Sequence, residues 1–509
     1  MPGPAYAPKQ PGLWTPGRVL MLVAFVALLL IPFTIAKIAV GVMLAIAVAR
    51  LAVQLYARRP AAAADSTTSG TVTVPELHQR ALSAGGGAYL ATGERGEWLT
   101  APPQAAVLVL AGPRAGKTSC VVIPALAAHP GAAVATSTKP EVLAATLTAR
   151  RQLGQAWFFD LQGHGAPAGT TPLRWSPVTR ASDWQQAQLT AEAMTGATDV
   201  DHDAAHWSER ASALIAGLIH AAARSRQGIA AVQGWVLRHD TDSPLAELEP
   251  GQVAHDVLQG IARTADRERS GIFSTAARVL RAYRSPVALA ASEEPNFDPD
   301  AFVASRETVY IAAPASEQRL LAPLVVGLLT DIRQAAYQRA WRAGPARPPL
   351  LFMLDECANI APLPDLPAIV SEAGGQGLQA VVVFQDISQA RRRWPQDADG
   401  MMSMFGARVA MSGIADLRTL EQLSLLCGEW DRPVQTLTRQ RPGVLSGQSA
   451  TSSESWSTRR ERRLPADQIA QLPQGRALVM IGPHWQILPT LPYDRHPTFA
   501  QLTAPGHST

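Results

Sequence analysis

Ala105-Ala-Val-Leu-Val-Leu-Ala-Gly-Pro-Arg-Ala-Gly-Lys-Thr118 is the stretch on which the fold turns. It opens as an unbroken apolar run of strand length and ends in Ala111-x-x-x-x-Gly116-Lys117-Thr118, after which residues 119–128 have a helix-competent composition. Strand, glycine-containing loop and helix in that order make the phosphate-binding P-loop. Glycine lets the backbone curl until successive N–H groups converge on phosphate oxygens, and the positive end of the helix adds to their pull. Gly112, Pro113, Arg114, Ala115, Gly116, Lys117, Thr118 and Ser119 are therefore the candidate nucleotide-binding residues. Lys117 is expected to reach the β and γ phosphates, and the Thr118 hydroxyl to hold Mg²⁺. Ala111 stands where a first glycine is usual, and Gly112 beside it is expected to keep the loop supple.

Downstream, Leu350-Leu-Phe-Met-Leu-Asp355-Glu356 is an apolar strand ending in two acids. Burying such acids is costly unless they meet a cation or a polar site. On its own the pair also suits a helix N-cap and first turn. With a P-loop in the same chain the catalytic reading is preferred: Asp355 supports Mg²⁺ and Glu356 polarises the attacking water as general base. A third apolar run, 380–384, ends in Gln385. Its amide is either an ordinary strand-end group or a sensor that hydrogen-bonds the γ-phosphate or its attacking water.

The surrounding chain is that of a large α/β protein. Apolar runs at 105–110, 132–135, 157–159, 308–311, 350–354, 380–384, 409–411 and 478–481 alternate with helical patterns. Continuous apolar strands separated by helices predict a parallel sheet covered on both faces. Between 183 and 290 the pattern becomes helical, with periodic segments at 183–195, 206–226, 251–264 and 272–284, and predicts an inserted all-α domain. His206, Trp207 and Trp175 read as core or surface residues and not as ligands. The stretch 435–463 is rich in Ser, Thr and Arg, and its Arg459, Arg460, Arg462 and Arg463 suggest either a solvated hairpin or a nucleic-acid contact.

At 509 residues, 47% of them hydrophobic, the chain can bury a large core, and two or more domains are expected. Its net charge of +4 is too small to argue for nucleic acid by itself. Three scattered cysteines, Cys120, Cys357 and Cys427, argue against a disulfide framework and a zinc site. Only four residues are lysine, Lys9, Lys37, Lys117 and Lys139; every other basic side chain is arginine.

Near the N-terminus, 19–55 is almost wholly apolar, interrupted by Pro32, Thr34 and Lys37. One span needs about 20 apolar residues, so two short helices joined by a tight turn are expected. Lys9 and Arg18 before them, and Arg50, Arg58 and Arg59 after them, place both ends in the cytoplasm. A single tilted span would put the two ends on opposite sides, whereas the nucleotide site must face cytosolic ATP. The expected divisions are a tail at 1–18, a transmembrane hairpin at 19–57, and a linker (60–76) running into the start of the P-loop domain within 58–99. The nucleotide-binding domain follows in two parts, 100–182 and 291–495, around the insert at 183–290, with a tail at 496–509.

These residues together resemble the type IV secretion coupling proteins, the TraG-like family of conjugative DNA-transfer ATPases. The matching elements, in order, begin with the P-loop, Ser137-Thr-Lys-Pro-Glu-Val-Leu143 and Arg267-Glu-Arg-Ser-Gly-Ile-Phe-Ser-Thr275. Leu354-Asp-Glu-Cys-Ala-Asn-Ile360, Val383-Phe-Gln385, Phe405-Gly-Ala-Arg-Val409 and the segment ending Arg463-Leu-Pro465 follow. Cys357 replaces an aromatic residue of the family pattern, and the connection between the apolar helices is unusually short.

The resemblance implies a RecA-like P-loop NTPase domain with an inserted all-α domain, preceded by a transmembrane helix pair in the cytoplasmic membrane. It also implies a homo-hexameric ring with ATP and Mg²⁺ at the subunit interfaces, and Gln385 as sensor. The partners it implies are single-stranded DNA with a relaxase complex, and the components of a type IV secretion system. A ring further predicts an arginine finger, for which Arg408 and Arg418 are candidates. The expected function is to recruit DNA with its attached protein and to drive it into the channel by ATP hydrolysis. The alternatives are a coupling ATPase for protein effectors only, a duplex-DNA translocase, and a catalytically degenerate membrane scaffold.

Overall fold

The computed structural model describes residues 73–198, 205–440 and 451–500. The tail and membrane hairpin expected at 1–57 lie outside them. Helix Val74–Ser83 begins inside the stretch expected to be linker. Thr73 caps it: its hydroxyl accepts from the Glu76 amide while the Glu76 carboxylate accepts from the Thr73 amide.

A small antiparallel ribbon, β1 (Tyr89–Thr92) with β2 (Trp98–Thr100), precedes the main sheet. The next strands are β3 (Val107–Leu110), β4 (Ala133–Ser137), β5 (Ala156–Phe159), β6 (Thr171–Pro172), β7 (Thr308–Ala312), β8 (Leu350–Leu354), β9 (Leu378–Phe384) and β10 (Ala407–Met411). After them come β11 (Glu429–Gln440), β12 (Thr451–Arg462), β13 (Arg476–Ile481) and β14 (His484–Pro489). Ten of these form one sheet in the order β14-β13-β10-β3-β9-β8-β4-β7-β5-β6. All eight apolar runs are strands of this sheet. From β10 to β6 every pairing is parallel. At the β10 edge, however, β13 and β14 pair antiparallel, so the sheet is mixed and not wholly parallel. The reason is local: only Gly482 and Pro483 separate the paired residues Ile481 and His484, which makes a two-residue hairpin.

Both faces of the sheet are covered. Along β3, Val107 and Val109 enter one core cluster and Leu108 and Leu110 the other, all fully buried. Each such side chain contributes about 1.5–3 kcal/mol by leaving water. On one face the core is continuous with the helices between β6 and β7, from Trp184–Gly196 to Pro299–Val303, so the helical run extends beyond 290. In helix Ala205–Arg224, Ala211, Leu214, Ile215, Leu218, Ile219 and Ala222 repeat at helical spacing and are buried.

Helix Gln318–Ala343 joins the insert to the sheet. It is long and apolar enough to cross a membrane by length and composition, but its apolar window is mostly buried inside the fold. Its Asp331 carboxylate accepts from the Trp175 indole N–H at 2.8 Å and the Thr190 hydroxyl at 3.2 Å. Burial raises that carboxyl to about 6. Trp175 is thereby a core residue, and Trp207 packs part-buried on the same cluster.

The end of the sheet at which β4 and β7 begin is fastened by Arg150. This side chain is fully buried, and burial pulls its guanidinium down to about 10, so it remains charged at neutral pH. It donates to the Thr308 hydroxyl at 2.7 Å, to the Gly131 carbonyl at 2.6 Å, and to the carbonyls of His129 and Arg306.

The stretch rich in Ser, Thr and Arg forms a separate two-stranded hairpin, β11 with β12. Arg460 pairs with Glu429 and Asp431, Arg462 with Glu429, and Arg459 and Arg432 with Glu461. Acids on the same ribbon therefore offset much of its positive charge.

Candidate nucleotide site

The P-loop leaves the sheet at the C-terminal end of β3. Ala111 is fully buried, and its amide donates to the Phe384 carbonyl at 3.2 Å. It thus prolongs the pairing of β3 with β9, which explains why alanine suffices at the first position. The demand for glycine falls on the next residue. A Cβ on Gly112 would lie 2.2 Å from the Gly413 carbonyl oxygen, and the Gly112 amide donates to Ser412 at 3.2 Å. Gly112 is therefore there for close packing and not for suppleness. The left-handed turns come later, at Arg114 (φ 61°) and Gly116 (φ 91°).

The helix after the loop opens as a single π turn, Thr118–Val122, and continues as Ile123–Ala128. Pro124 has no N–H to give to Cys120, and the wider turn in which the Ile123 amide donates to the Thr118 carbonyl accommodates it. The first amides of any helix lack intrahelical acceptors, so those of Lys117, Thr118 and Ser119 are placed to meet an anion.

Four expected residues are brought together across the chain. Lys117 Nζ lies 2.8 Å from Glu356 Oε1, with each side chain only 14% exposed. The Thr118 hydroxyl donates to Asp355 Oδ2 at 3.1 Å. The Thr136 hydroxyl donates to the Asp355 carbonyl at 3.0 Å and fixes the end of β8. Burial raises the Asp355 carboxyl to about 6; Lys117 opposes the shift and Glu356 adds to it. Glu356 adopts left-handed backbone angles (φ 53°, ψ 42°), unusual for a residue with a Cβ and typical of strain held at functional sites.

Gln385 sits at the tip of β9, between the strand that carries the P-loop and the strand that carries the acids. Its backbone N–H donates to Gln389 Oε1 at 2.9 Å. Its side chain makes no hydrogen bond to the other four residues. Of the two arginine-finger candidates, Arg408 is buried with its Nε donating to the Met402 carbonyl at 2.8 Å, so it does not present itself to a neighbour. Arg418 is exposed in the first turn of helix Leu417–Cys427.

The donor set fits a hard divalent cation beside a phosphate chain. Asp355 Oδ1 is a buried oxygen without a hydrogen-bond partner, and Oδ2 shares the Thr118 hydroxyl. Two protein oxygens suffice for Mg²⁺, which keeps several waters and takes its other ligands from phosphate. Sequence reasoning missed three neighbours: Gly413 and Thr136, and Tyr493, whose amide donates to the Ser119 carbonyl at 2.8 Å. Only Gly413, a glycine just past a strand, carried a legible signal.

The contact with Gly413 yields a test. Gly112→Ala drives a methyl into backbone and is expected to cost about 1–3 kcal/mol of stability and to weaken nucleotide binding at least about tenfold. Thermal melting and titration with a fluorescent nucleotide check it. Unchanged values for both would show that the loop does not rest on Gly413.

The family model for type IV secretory system conjugative DNA transfer matches residues 60–484. Conjugal transfer protein TraG of Escherichia coli is 25% identical over 317 residues, which is 56% of this chain and 49% of that protein. The chain therefore spans about half the length of this curated relative. Among solved structures, the unbound bacterial conjugative coupling protein TrwBΔN70 superposes with a TM-score of 0.60 at 16% identity, covering 81% of this chain and 91% of that one. Plasmid coupling protein TrwB in complex with the non-hydrolysable ATP analogue ADPNP gives a TM-score of 0.57 at 18% identity, covering 77% and 85%. At these identities the likeness is one of fold.

Proposed function

The chain belongs to the type IV secretory system conjugative DNA transfer family, and from that premise we propose that it is a membrane-anchored ATPase that drives DNA, with its attached protein, into a secretion channel. The observation that carries this reading is the meeting of Lys117 with Glu356 and of Thr118 with Asp355 at one edge of the sheet. A degenerate scaffold has no need to keep a lysine, a hydroxyl and two acids, drawn from distant parts of the chain, in contact with one another.

In this reading the amides of Gly116 to Ser119 and the Lys117 ammonium bind the phosphates. Thr118 and Asp355 would hold Mg²⁺, which would supply charge neutralisation at the phosphates. Glu356, released by Lys117 once the lysine turns to phosphate, takes the proton of the attacking water. Gln385, adjacent on the central strand, hydrogen-bonds that water or the γ-phosphate and relays the nucleotide state to the helix behind it. TrwB in complex with an ATP analogue and with a GTP analogue supports a nucleoside triphosphate at this site, and ATP is the one proposed here. The reading further includes a membrane hairpin at 19–57, the α-helical insert facing the cytosol, and six subunits closing a ring with ATP between them.

The test is ATP turnover by the full-length protein in detergent or lipid, with and without single-stranded DNA. Turnover that rises several-fold with DNA is the expected result. Turnover indifferent to DNA would transfer the cargo assignment to protein, and absence of turnover under both conditions would remove the motor assignment.

A further inference from the structure

The helix that follows the P-loop is held from outside at both ends. At its start the π turn leaves a gap in the bonding. The Ile123 amide is spent on the Thr118 carbonyl, and Pro124, next in line, has no N–H. Neither can serve the Ser119 carbonyl. The Tyr493 amide, from near the C-terminal end of the described chain, donates to it at 2.8 Å. At the last turn, His78 Nε2 of helix Val74–Ser83 donates to the Ala127 carbonyl at 3.2 Å.

Tyr493 is itself well fixed. The Arg495 amide donates to the Pro492 carbonyl at 3.0 Å, so Tyr493 is the second residue of a tight turn. Three residues on, His496 is buried, and burial holds its imidazole down to about 4, so the ring is neutral at pH 7. Its Nδ1 accepts from the Thr498 amide at 3.1 Å, which leaves the proton on Nε2 for the Thr92 hydroxyl of β1 at 3.0 Å. The Phe499 ring stacks on Trp98 of β2 with centroids 5.5 Å apart, and meets Tyr89 of β1 edge-on at 5.3 Å. The Arg80 guanidinium lies 4.7 Å over the Trp98 ring. Residues 490–499 thus run as a strap from β14, past the first turn of the P-loop helix, to the β1–β2 ribbon.

The strap touches the helix at a place that matters for phosphate. The Ser119 carbonyl shares one rigid peptide plane with the Cys120 amide, which donates to the Gly116 carbonyl at 2.8 Å. Tyr493, that plane and Gly116 therefore form a continuous chain of hydrogen bonds, in which each bond strengthens the next. A carbonyl deprived of its donor turns towards water. Here that rotation would also pull the Cys120 amide off Gly116, the residue on which the phosphate-binding turn closes.

We infer that the strap is part of the nucleotide site and that Tyr493 is a positioning residue of the P-loop, acting through its backbone N–H on the Ser119 carbonyl. The inference rests on the reading of the P-loop as a working ATP site.

Tyr493→Pro removes the N–H and leaves the turn, because proline suits its second position. Steady-state ATP turnover by the full-length protein is the measurement. KM is expected to rise at least about tenfold while kcat stays within about threefold of wild type, since the strap sets binding and touches neither Asp355 nor Glu356. Loss of folded protein would do the reverse, lowering kcat and leaving KM. Tyr493→Ala loses the ring and keeps the amide, so its KM lies closer to wild type than to the proline variant. The decisive arm is Pro124→Ala, which gives the helix an N–H and so supplies the Ser119 carbonyl with a donor from within. In that background the same Tyr493→Pro change is expected to raise KM less than about threefold.

An unmoved KM in the proline variant would overturn the inference and leave the ATP site intact. So would an alanine variant equally impaired, or an equal loss in the Pro124→Ala background. Thermal melting shows whether the proline variant folds. If it does not, Thr92→Val, which unhooks His496, takes its place with the same expected rise in KM, and a wild-type KM there overturns the inference. A wild-type protein that neither binds a fluorescent ATP analogue nor hydrolyses ATP would remove the ATP site itself, and the role of the strap with it.

Discussion

Lys117→Ala is expected to lower ATP turnover by at least about a thousandfold, equivalent to about 4 kcal/mol of lost transition-state stabilisation. Lys117 is the residue of the Gly-Lys-Thr turn whose charge reaches the acids, 2.8 Å from Glu356. Losing it removes the cation that meets the β and γ phosphates. It also removes the neighbour that favours the ionised form of Asp355, so the metal-holding carboxylate is weakened by the same change. Nucleotide affinity and turnover therefore fall together. Arginine is not an adequate replacement, because a planar fork does not occupy the space of a compact ammonium. The measurement is steady-state phosphate release with parallel titration of a fluorescent nucleotide; turnover within tenfold of wild type would place the nucleotide elsewhere.

Glu356→Gln is expected to separate binding from chemistry. An amide cannot take a proton from water, so turnover drops by about 10²–10⁴. Nucleotide binding moves the opposite way. In the structure Lys117 is held by the Glu356 carboxylate, and phosphate must compete for it. Glutamine keeps the size of the side chain and releases the charge, so the variant binds ATP more tightly than wild type while scarcely hydrolysing it. Single-turnover kinetics with an equilibrium titration decide the matter. Wild-type turnover would assign the base to another residue, and weakened binding would show that Glu356 organises the loop and does not compete for its lysine.

Much of this architecture was legible because its signals are local. Each strand of the sheet interior is a short apolar run with turn residues at its ends, and the P-loop, Asp355-Glu356 and Gln385 each follow directly on one of them. The antiparallel edge was not legible, since β14 alternates exposed and half-buried residues and carries little apolar pattern. The role of Gly112 was misread because the partner that demands a glycine, Gly413, is distant in sequence and meets it only after folding. The pairing of the arginines was hidden for a different reason. In a chain with four lysines and otherwise only arginine for positive charge, no single arginine stands out. Only the three-dimensional arrangement shows which of them, as on the β11–β12 hairpin, are matched by acids.

Arg150 gives the sheet a mechanical polarity. Its guanidinium ties together the carbonyls that precede β4 and β7, at the strand ends opposite those that carry the P-loop, the two acids and Gln385. In the motor proposed above, this buried arginine is the fixed side of the sheet, and the loops at the other strand ends are the part left free of such a tie.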